Sequence, residues 1–224
     1  MADILPWKER KLKAAKYLKN SDRCLCIGAG GLLYYVLRQY GVSDFELHEN
    51  LYGKPELKED QNLKFNLSHS GNYIVCAVGD AQVGIDVENN KKDNFDIAEK
   101  WFAEKEYQWL SETKDRQEGF NRLWTLKESY IKMRGMGLSI PLDSFCIIPG
   151  EIMSKSPNDN GFTKFLMKKD TKVITLKKEE QMEHLYFREF GLPGHHVSVC
   201  AETDISTQMN RVQVSQIISS SHIK

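Results

Sequence analysis

No surplus of charge of either sign marks this chain. Among its 224 residues, 31 basic and 31 acidic side chains cancel, and the pI is about 7.0. A nucleic-acid-binding surface usually rests on a basic excess, so that class loses ground. Cysteine is sparse and odd in number. Five thiols, at 24, 26, 76, 146 and 200, lack zinc-ribbon spacing and suit a reducing, cytoplasmic setting. Long apolar runs are missing too. The longest, Cys24 to Leu37, carries three glycines and is closed by Arg23 and Arg38. It is too short to span a bilayer and reads as a buried helix, so no membrane partner is expected. The opening residues Met1 to Trp7 have no basic segment leading into an apolar core, so no secretory signal is expected. An apolar share of 41% is still enough for a folded globule. The length allows one large domain or two small ones.

Periodicity sketches the elements. Lys8 to Lys19 reads as a basic helix, with Leu12, Ala15 and Leu18 on one face. An apolar helix over Cys24–Tyr40 follows. Phe65 to Leu67 reads as a short strand entering a turn at Ser70-Gly71. Tyr73–Val78 and Gln82–Val87 read as paired strands joined at Gly79-Asp80. Asp96–Leu110 reads as a helix with Ile97, Trp101 and Tyr107 inward. Gly119–Arg134 reads as another, ended by Gly135. Pro149–Gly161 is polar and turn-rich and reads as a loop. Strands are expected at Phe162–Met167, Lys172–Leu176, His184–Phe190 and His196–Ala201. Ser219–Lys224 reads as a frayed tail. Val75-Cys-Ala77 and Val199-Cys-Ala201 echo each other late in two apolar strands.

Two short segments carry chemistry. In Gly84-Ile-Asp-Val-Glu88, Asp86 and Glu88 are two apart, so on a strand they share one face while Val83, Ile85 and Val87 take the other. In Trp124-Thr-Leu-Lys-Glu-Ser-Tyr-Ile-Lys132, Glu128 and Lys132 are four apart, so on a helix they lie one turn from each other. Each has a plain alternative: a solvated strand edge, and an exposed i,i+4 ion pair. The apolar residues flanking both segments favour a cleft, where such charges have a use. Three carboxylates converging from a strand and a helix suit magnesium, which completes its shell with water and substrate phosphate. A lysine beside that ion can meet phosphate charge. The combination points to phosphoryl-type transfer.

These segments, with Phe65-Asn-Leu-Ser-His-Ser70, resemble the three recurring blocks of the surfactin-type (Sfp-like) 4′-phosphopantetheinyl transferases. Weaker matches join them in order: Tyr52-Gly-Lys-Pro55, Phe102-Ala-Glu-Lys-Glu106, and Gly135-Met-Gly-Leu138 running into Pro141–Phe145. The similarity runs from about Arg10 to about Phe145. It implies an α+β fold of two similar halves related by a pseudo-twofold axis, with the active site at their interface. The halves are expected at 1–83, on the coenzyme A adenosine side, and at 84–205, on the metal side, with a polar tail at 206–224. Two departures stand out: Met136 lies where a basic residue is common, and Cys24 or Cys26 lies where a small hydroxyl residue is common.

The resemblance implies transfer of the 4′-phosphopantetheine arm of coenzyme A to a serine of an apo acyl or peptidyl carrier protein, leaving adenosine 3′,5′-bisphosphate. It implies that Asp86, Glu88 and Glu128 hold magnesium, for which manganese can substitute. Glu128 is the candidate to take the serine proton, directly or through a water on the metal, and Lys132 to meet the departing phosphate. Glu106 is a further candidate, for positioning a water on the metal. Ser68, His69 and Lys54 are expected on coenzyme A phosphates. Arg10 and Lys13, or in another register Lys8 and Lys11, are expected on its 3′-phosphate. A monomer is expected. Two alternatives are a non-catalytic carrier-docking module of the same fold and a magnesium-dependent phosphodiesterase.

Overall fold

The computed structural model describes residues 8–58, 62–90, 95–157, 162–167, 169–176, 181–206 and 208–221. The opening residues Met1–Trp7, and so the signal-peptide expectation, lie outside them. The fold is mixed α and β. Helix α1 (Lys8–Ala15) packs on α2 (Asn20–Gln39). A small pair, β1 (Leu47–Glu49) with β2 (Pro55–Leu57), precedes the hairpin of β3 (Lys64–Ser70) and β4 (Tyr73–Gly79). Strand β5 (Val83–Asn89) leads to α3 (Phe95–Trp101), α4 (Glu104–Glu112) and α5 (Arg116–Arg134). The remaining strands are β6 (Phe145–Ile148), β7 (Ile152–Pro157), β8 (Thr163–Met167), β9 (Lys172–Thr175), β10 (Gln181–Glu183), β11 (Tyr186–Leu192) and β12 (His195–Ala201), and α6 (Val214–Ser221) closes the chain.

A long helix on an antiparallel strand pair occurs twice. Helix α2 lies on β3–β4, and α5 lies on β5–β12. In both, glycine permits the approach. Ile74 of β4 presses onto Gly28, where an added Cβ would sit 2.7 Å from its Cδ1. At Gly84 of β5 an added Cβ would sit 2.0 Å from the Ser129 carbonyl oxygen of α5. Strand β5 is the edge of a five-stranded antiparallel sheet in the order β5–β12–β11–β8–β7. Its inward side chains Val83, Ile85 and Val87 are buried with Val197 and Val199 of β12.

The expected pairing of the strands flanking Gly79-Asp80 does not occur. Strand β4 ladders with β3, and β5 ladders with β12, Asp86 opposite Ser198 and Glu88 opposite His196. No backbone ladder joins β3 to β5 among the described residues. Side chains bridge the seam instead: Ile85 N donates to Asn66 Oδ1 (2.9 Å) and Val87 N to Ser68 Oγ (3.4 Å).

Other expectations shift as well. Helix α1 stops at Ala15 and buries Ala14; Leu12 and Leu18 are exposed. Strand β3 runs past the expected end at Leu67 through Ser70, so Ser68, His69 and Ser70 lie on the strand. The helix expected over Asp96–Leu110 is broken at Ala103, whose extended backbone donates its N–H to Glu106 Oε2 (2.9 Å). There Ala98 and Phe102 face inward, and Trp101 is exposed. The polar stretch after Pro149 contains the edge strand β7. Of the end expected to fray, residues 219–221 are helical and 222–224 lie outside the described residues: Ile217 is buried against α2 near Gly31, and Arg38 donates to the Ser220 carbonyl (2.9 Å). Among the described residues no helix is long and apolar enough to cross a membrane.

Candidate active site

Six of the residues singled out from the sequence converge. Ser68, His69, Asp86, Glu88, Glu128 and Lys132 line one open cavity of about 330 Å³, with Leu67 and Trp124 as its apolar walls. Three elements present them. Strand β3 supplies Ser68 and His69, and β5 supplies Asp86 and Glu88 on the face away from its buried valines. Helix α5 supplies Trp124, Glu128 and Lys132 at one-turn intervals.

Helix α5 is well defined at both ends. Asp115 accepts from Glu118 N (2.9 Å) at the start. Gly135, at φ 70°, ends it in the left-handed region that favours glycine. The middle is buried on most sides. The close approach at Gly84 sets Ser129 and Met133 directly on β5, so Glu128 and Lys132 flank the carboxylates of that strand. The hydroxyls of Thr125 and Ser198, 2.9 Å apart, tie the helix to β12. The Trp124 ring is held by stacking on Phe102 and Phe120, at centroid distances of 6.1 and 6.0 Å.

The polar groups form a compact set. Lys132 Nζ donates to Asp86 Oδ1 (2.5 Å) and to Ser68 Oγ (2.9 Å). Ser68 Oγ donates to the same Asp86 oxygen (2.9 Å), and Ser70 Oγ to Glu88 Oε2 (3.5 Å). The other oxygen of Asp86, Oδ2, is buried with no hydrogen-bond partner among the described residues. Such an atom is costly unless something positive meets it. Burial, reinforced by the charges of Asp86 and then Glu88 against the pull of Lys132, lifts the Glu128 carboxyl to about 7. No ready cage of three or more His, Cys, Asp or Glu exists among the described residues. Yet the hard-oxygen donors, the orphaned Asp86 atom and the crowded negative charge fit magnesium, which needs few protein ligands.

Other expected site residues do not line the cavity. Arg10 donates through Nε to the Cys26 carbonyl (2.9 Å), joining α1 to α2, and Lys13 is exposed nearby. Lys11 is half-buried. The Lys8 side chain lies outside the described atoms. Lys54 is buried with its ammonium turned inward. Glu106 is fully buried, where both its oxygens accept from Lys127 Nζ (2.7 Å) and one from Ile147 N (2.6 Å). That engagement removes it from a water-positioning role in the cavity. Sequence reasoning gave no part to Leu67, although it lies inside the quoted serine-histidine block, nor to Asn66 as the acceptor that joins β3 to β5. A second buried charge cluster also went unseen: Glu189 accepts from Arg122 (2.7 and 2.8 Å) and lies 3.0 Å from His196 Nε2. Its partners come from α5, β11 and β12, and no local spacing connects them.

A model of the 4′-phosphopantetheinyl transferase superfamily matches residues 82–200, more than half of the chain. The chain belongs to that superfamily. It is 37% identical over 151 residues to the 4′-phosphopantetheinyl transferase Sfp of Bacillus subtilis (strain 168), covering 66% of this chain and 67% of that one. It is 45% identical over 146 residues to the 4′-phosphopantetheinyl transferase gsp of Aneurinibacillus migulanus, covering 62% and 60%. The superfamily match spans β5, α5 and β12, and so Asp86, Glu88, Glu128 and Lys132. Ser68, His69 and the N-terminal basic residues fall before it.

Proposed function

We propose that this superfamily member transfers the 4′-phosphopantetheine arm of coenzyme A to a serine of an apo acyl or peptidyl carrier protein, with adenosine 3′,5′-bisphosphate as the other product. The observation that carries the reading is the convergence of Ser68, His69, Asp86, Glu88, Glu128 and Lys132 on one open cavity. The carrier serine oxygen attacks the phosphorus that bears the pantetheine, and the bond from that phosphorus to the bridging pyrophosphate oxygen breaks. Glu128 takes the serine proton as general base, directly or through a water. Lys132 meets the charge on the departing phosphate or protonates it. Asp86, Glu88 and Glu128 would hold magnesium, or manganese in its stead, whose charge offsets that of the pyrophosphate. His69 donates to the coenzyme A phosphates, Ser68 joins it there once its one hydroxyl proton turns from Asp86, and Arg10 and Lys13 read its 3′-phosphate from α1.

The two units of a helix on an antiparallel strand pair support two similar halves meeting at the β3–β5 seam, within a monomer. The free state of all five cysteines supports a cytoplasmic setting. Incubation with coenzyme A, magnesium and an apo carrier, followed by mass spectrometry of the carrier, tests the reaction. The expected result is a carrier heavier by one phosphopantetheine on serine. Coenzyme A cleaved with the carrier unmodified points to a phosphodiesterase. Carrier bound with no chemistry points to a docking module. Either result sinks the proposal.

A further inference from the structure

The turn Asn50–Lys54 sits against the end of α5, and none of its residues lines the cavity. Lys54 Nζ makes three hydrogen bonds, to Gln82 Oε1 (3.1 Å), Val83 O (3.3 Å) and Met133 O (3.2 Å). An ammonium has three N–H donors, so all are engaged. Asn50 Nδ2 donates to the Gly135 carbonyl (2.9 Å), while Asn50 Oδ1 accepts from Tyr52 N (2.9 Å) and Lys54 N (3.0 Å), which fixes the turn itself. The lysine stem runs close under Gly135; an added Cβ there would lie 3.0 Å from Lys54 Cδ.

Rested on the transferase reading above, we propose that Lys54 is a positioning residue. Its buried ammonium pins the last turn of α5 to the first residue of β5 and so holds Glu128 and Lys132 in register with Asp86 and Glu88. Three observations carry this. The acceptors come from two elements that are far apart in sequence, Met133 at the end of the helix and Val83 at the start of the metal strand. Each of those elements carries a pair of the charged site residues within a few positions, Asp86 with Glu88 and Glu128 with Lys132. Electrostatics agree, because the last carbonyls of a helix lack intrahelical donors and carry partial negative charge, which a lysine satisfies. Burial pushes the Lys54 ammonium below its ordinary value, with Glu56 and Glu202 opposing that shift. A phosphate contact needs a free N–H facing a ligand. Lys54 presents none in this arrangement, and it does not line the cavity.

The test separates positioning from ligand contact. Lys54→Met keeps the stem and removes the donors. Asn50→Asp removes the donor to Gly135 and keeps the oxygen that accepts from Tyr52 N and Lys54 N, so it serves where Lys54→Met fails to fold. Coenzyme A affinity is measured by calorimetry, turnover is expressed per coenzyme A-binding site, and amide exchange is followed over residues 129–137. The expected result is turnover reduced roughly tenfold or more, about the loss of one charge-assisted hydrogen bond. Coenzyme A affinity should stay within about threefold, and exchange in the last turn of α5 should quicken by a similar factor. Affinity lost with turnover at saturation intact would mean that Lys54 touches the ligand, which overturns the proposal. Unchanged exchange in both variants overturns it as well. The exchange measurement needs no turnover, so it decides the clamp even where the parent transfers nothing and the transferase reading fails.

Discussion

Replacing Glu128 with glutamine should stabilise the metal-free protein above neutral pH while abolishing its chemistry. The folded chain keeps the proton on Glu128 up to about 7, against an ordinary value of 4.5, because the site is partly buried and already holds Asp86 and Glu88. Folding therefore binds a proton more tightly than the unfolded chain does. Stability falls as pH rises from about 4.5 to about 7 and stays reduced above that. At about 1.4 kcal/mol per pH unit, the ceiling is about 3 kcal/mol. The cavity is open to water and salt, which screen part of it, so a penalty of about 1–2 kcal/mol is the working figure. For a chain of this size that is a melting shift of roughly 2–8 °C. The assay is thermal unfolding of parent and Glu128→Gln with chelator present, from pH 4 to pH 8. The curves should coincide at the acid end and separate in favour of glutamine at the alkaline end. Added magnesium should then raise the parent more than the variant, since the cation relieves the same repulsion. A melting difference that does not change with pH would refute the argument. Equal magnesium effects on both proteins would remove Glu128 from the metal site.

Two further outcomes are expected elsewhere in the molecule. Arg10→Ala with Lys13→Ala should weaken coenzyme A binding roughly tenfold or more yet leave dephospho-coenzyme A nearly untouched. Because Arg10 also ties α1 to Cys26, comparing the two ligands cancels any loss of packing, and equal losses would mean that this pair does not read the 3′-phosphate. Burial alone would raise the Glu189 carboxyl, but hydrogen bonds from Arg122 and His196 hold it down at about 2. Its stabilisation is thus complete above about 4.5 and is lost as pH falls toward 2, about 3 kcal/mol in all. Glu189→Gln should start less stable, with Arg122 left short of its anion, and should then lose less between pH 5 and pH 3 in urea titrations. Parallel profiles would contradict this.

What could be read from the sequence was whatever a local period encodes. Alternation on β5 placed Asp86 and Glu88 on one face, and a four-residue step on α5 placed Glu128 beside Lys132. Both spacings hold in the fold because the opposite faces, Val83–Ile85–Val87 and Leu126–Tyr130–Ile131, are buried. Partner choice was not legible. The partner of β5 is β12, more than a hundred residues away, and nothing near Gly79-Asp80 excludes the simpler hairpin. Direction of a long side chain was not legible either. Lys54 in a turn and Glu106 at a helix start both look solvated in sequence. Each is drawn inward by backbone groups from distant elements: Val83 and Met133 carbonyls for the lysine, the Ile147 N–H for the glutamate. Strand β7 stayed hidden because an edge strand reading Ile-Met-Ser-Lys-Ser-Pro has too few apolar positions to alternate.

The seam explains why the site lies where it does. Had β3 and β5 formed an ordinary ladder, their facing backbone groups would pair with each other and the side chains between them would point above and below the sheet. Instead Asn66 and Ser68 reach across to the β5 amides, which leaves the strands joined by side chains and the space beside them open. Ser68 is the economical part of this arrangement. One hydroxyl accepts from Val87 N, donates to Asp86 and accepts from Lys132, so it is at once a joint of the seam and a wall of the cavity. A group binding beside Ser68 therefore acts on the contact that holds β3 to β5. Strand β5 is fixed by β12 on one side and by α5, through Gly84, above. The compliant partner is the β3–β4 hairpin, with α2 on its back. Ligand-linked movement should then appear as adjustment of that hairpin against a β5–α5–β12 unit that stays rigid, which keeps the three carboxylates and Lys132 in constant register throughout.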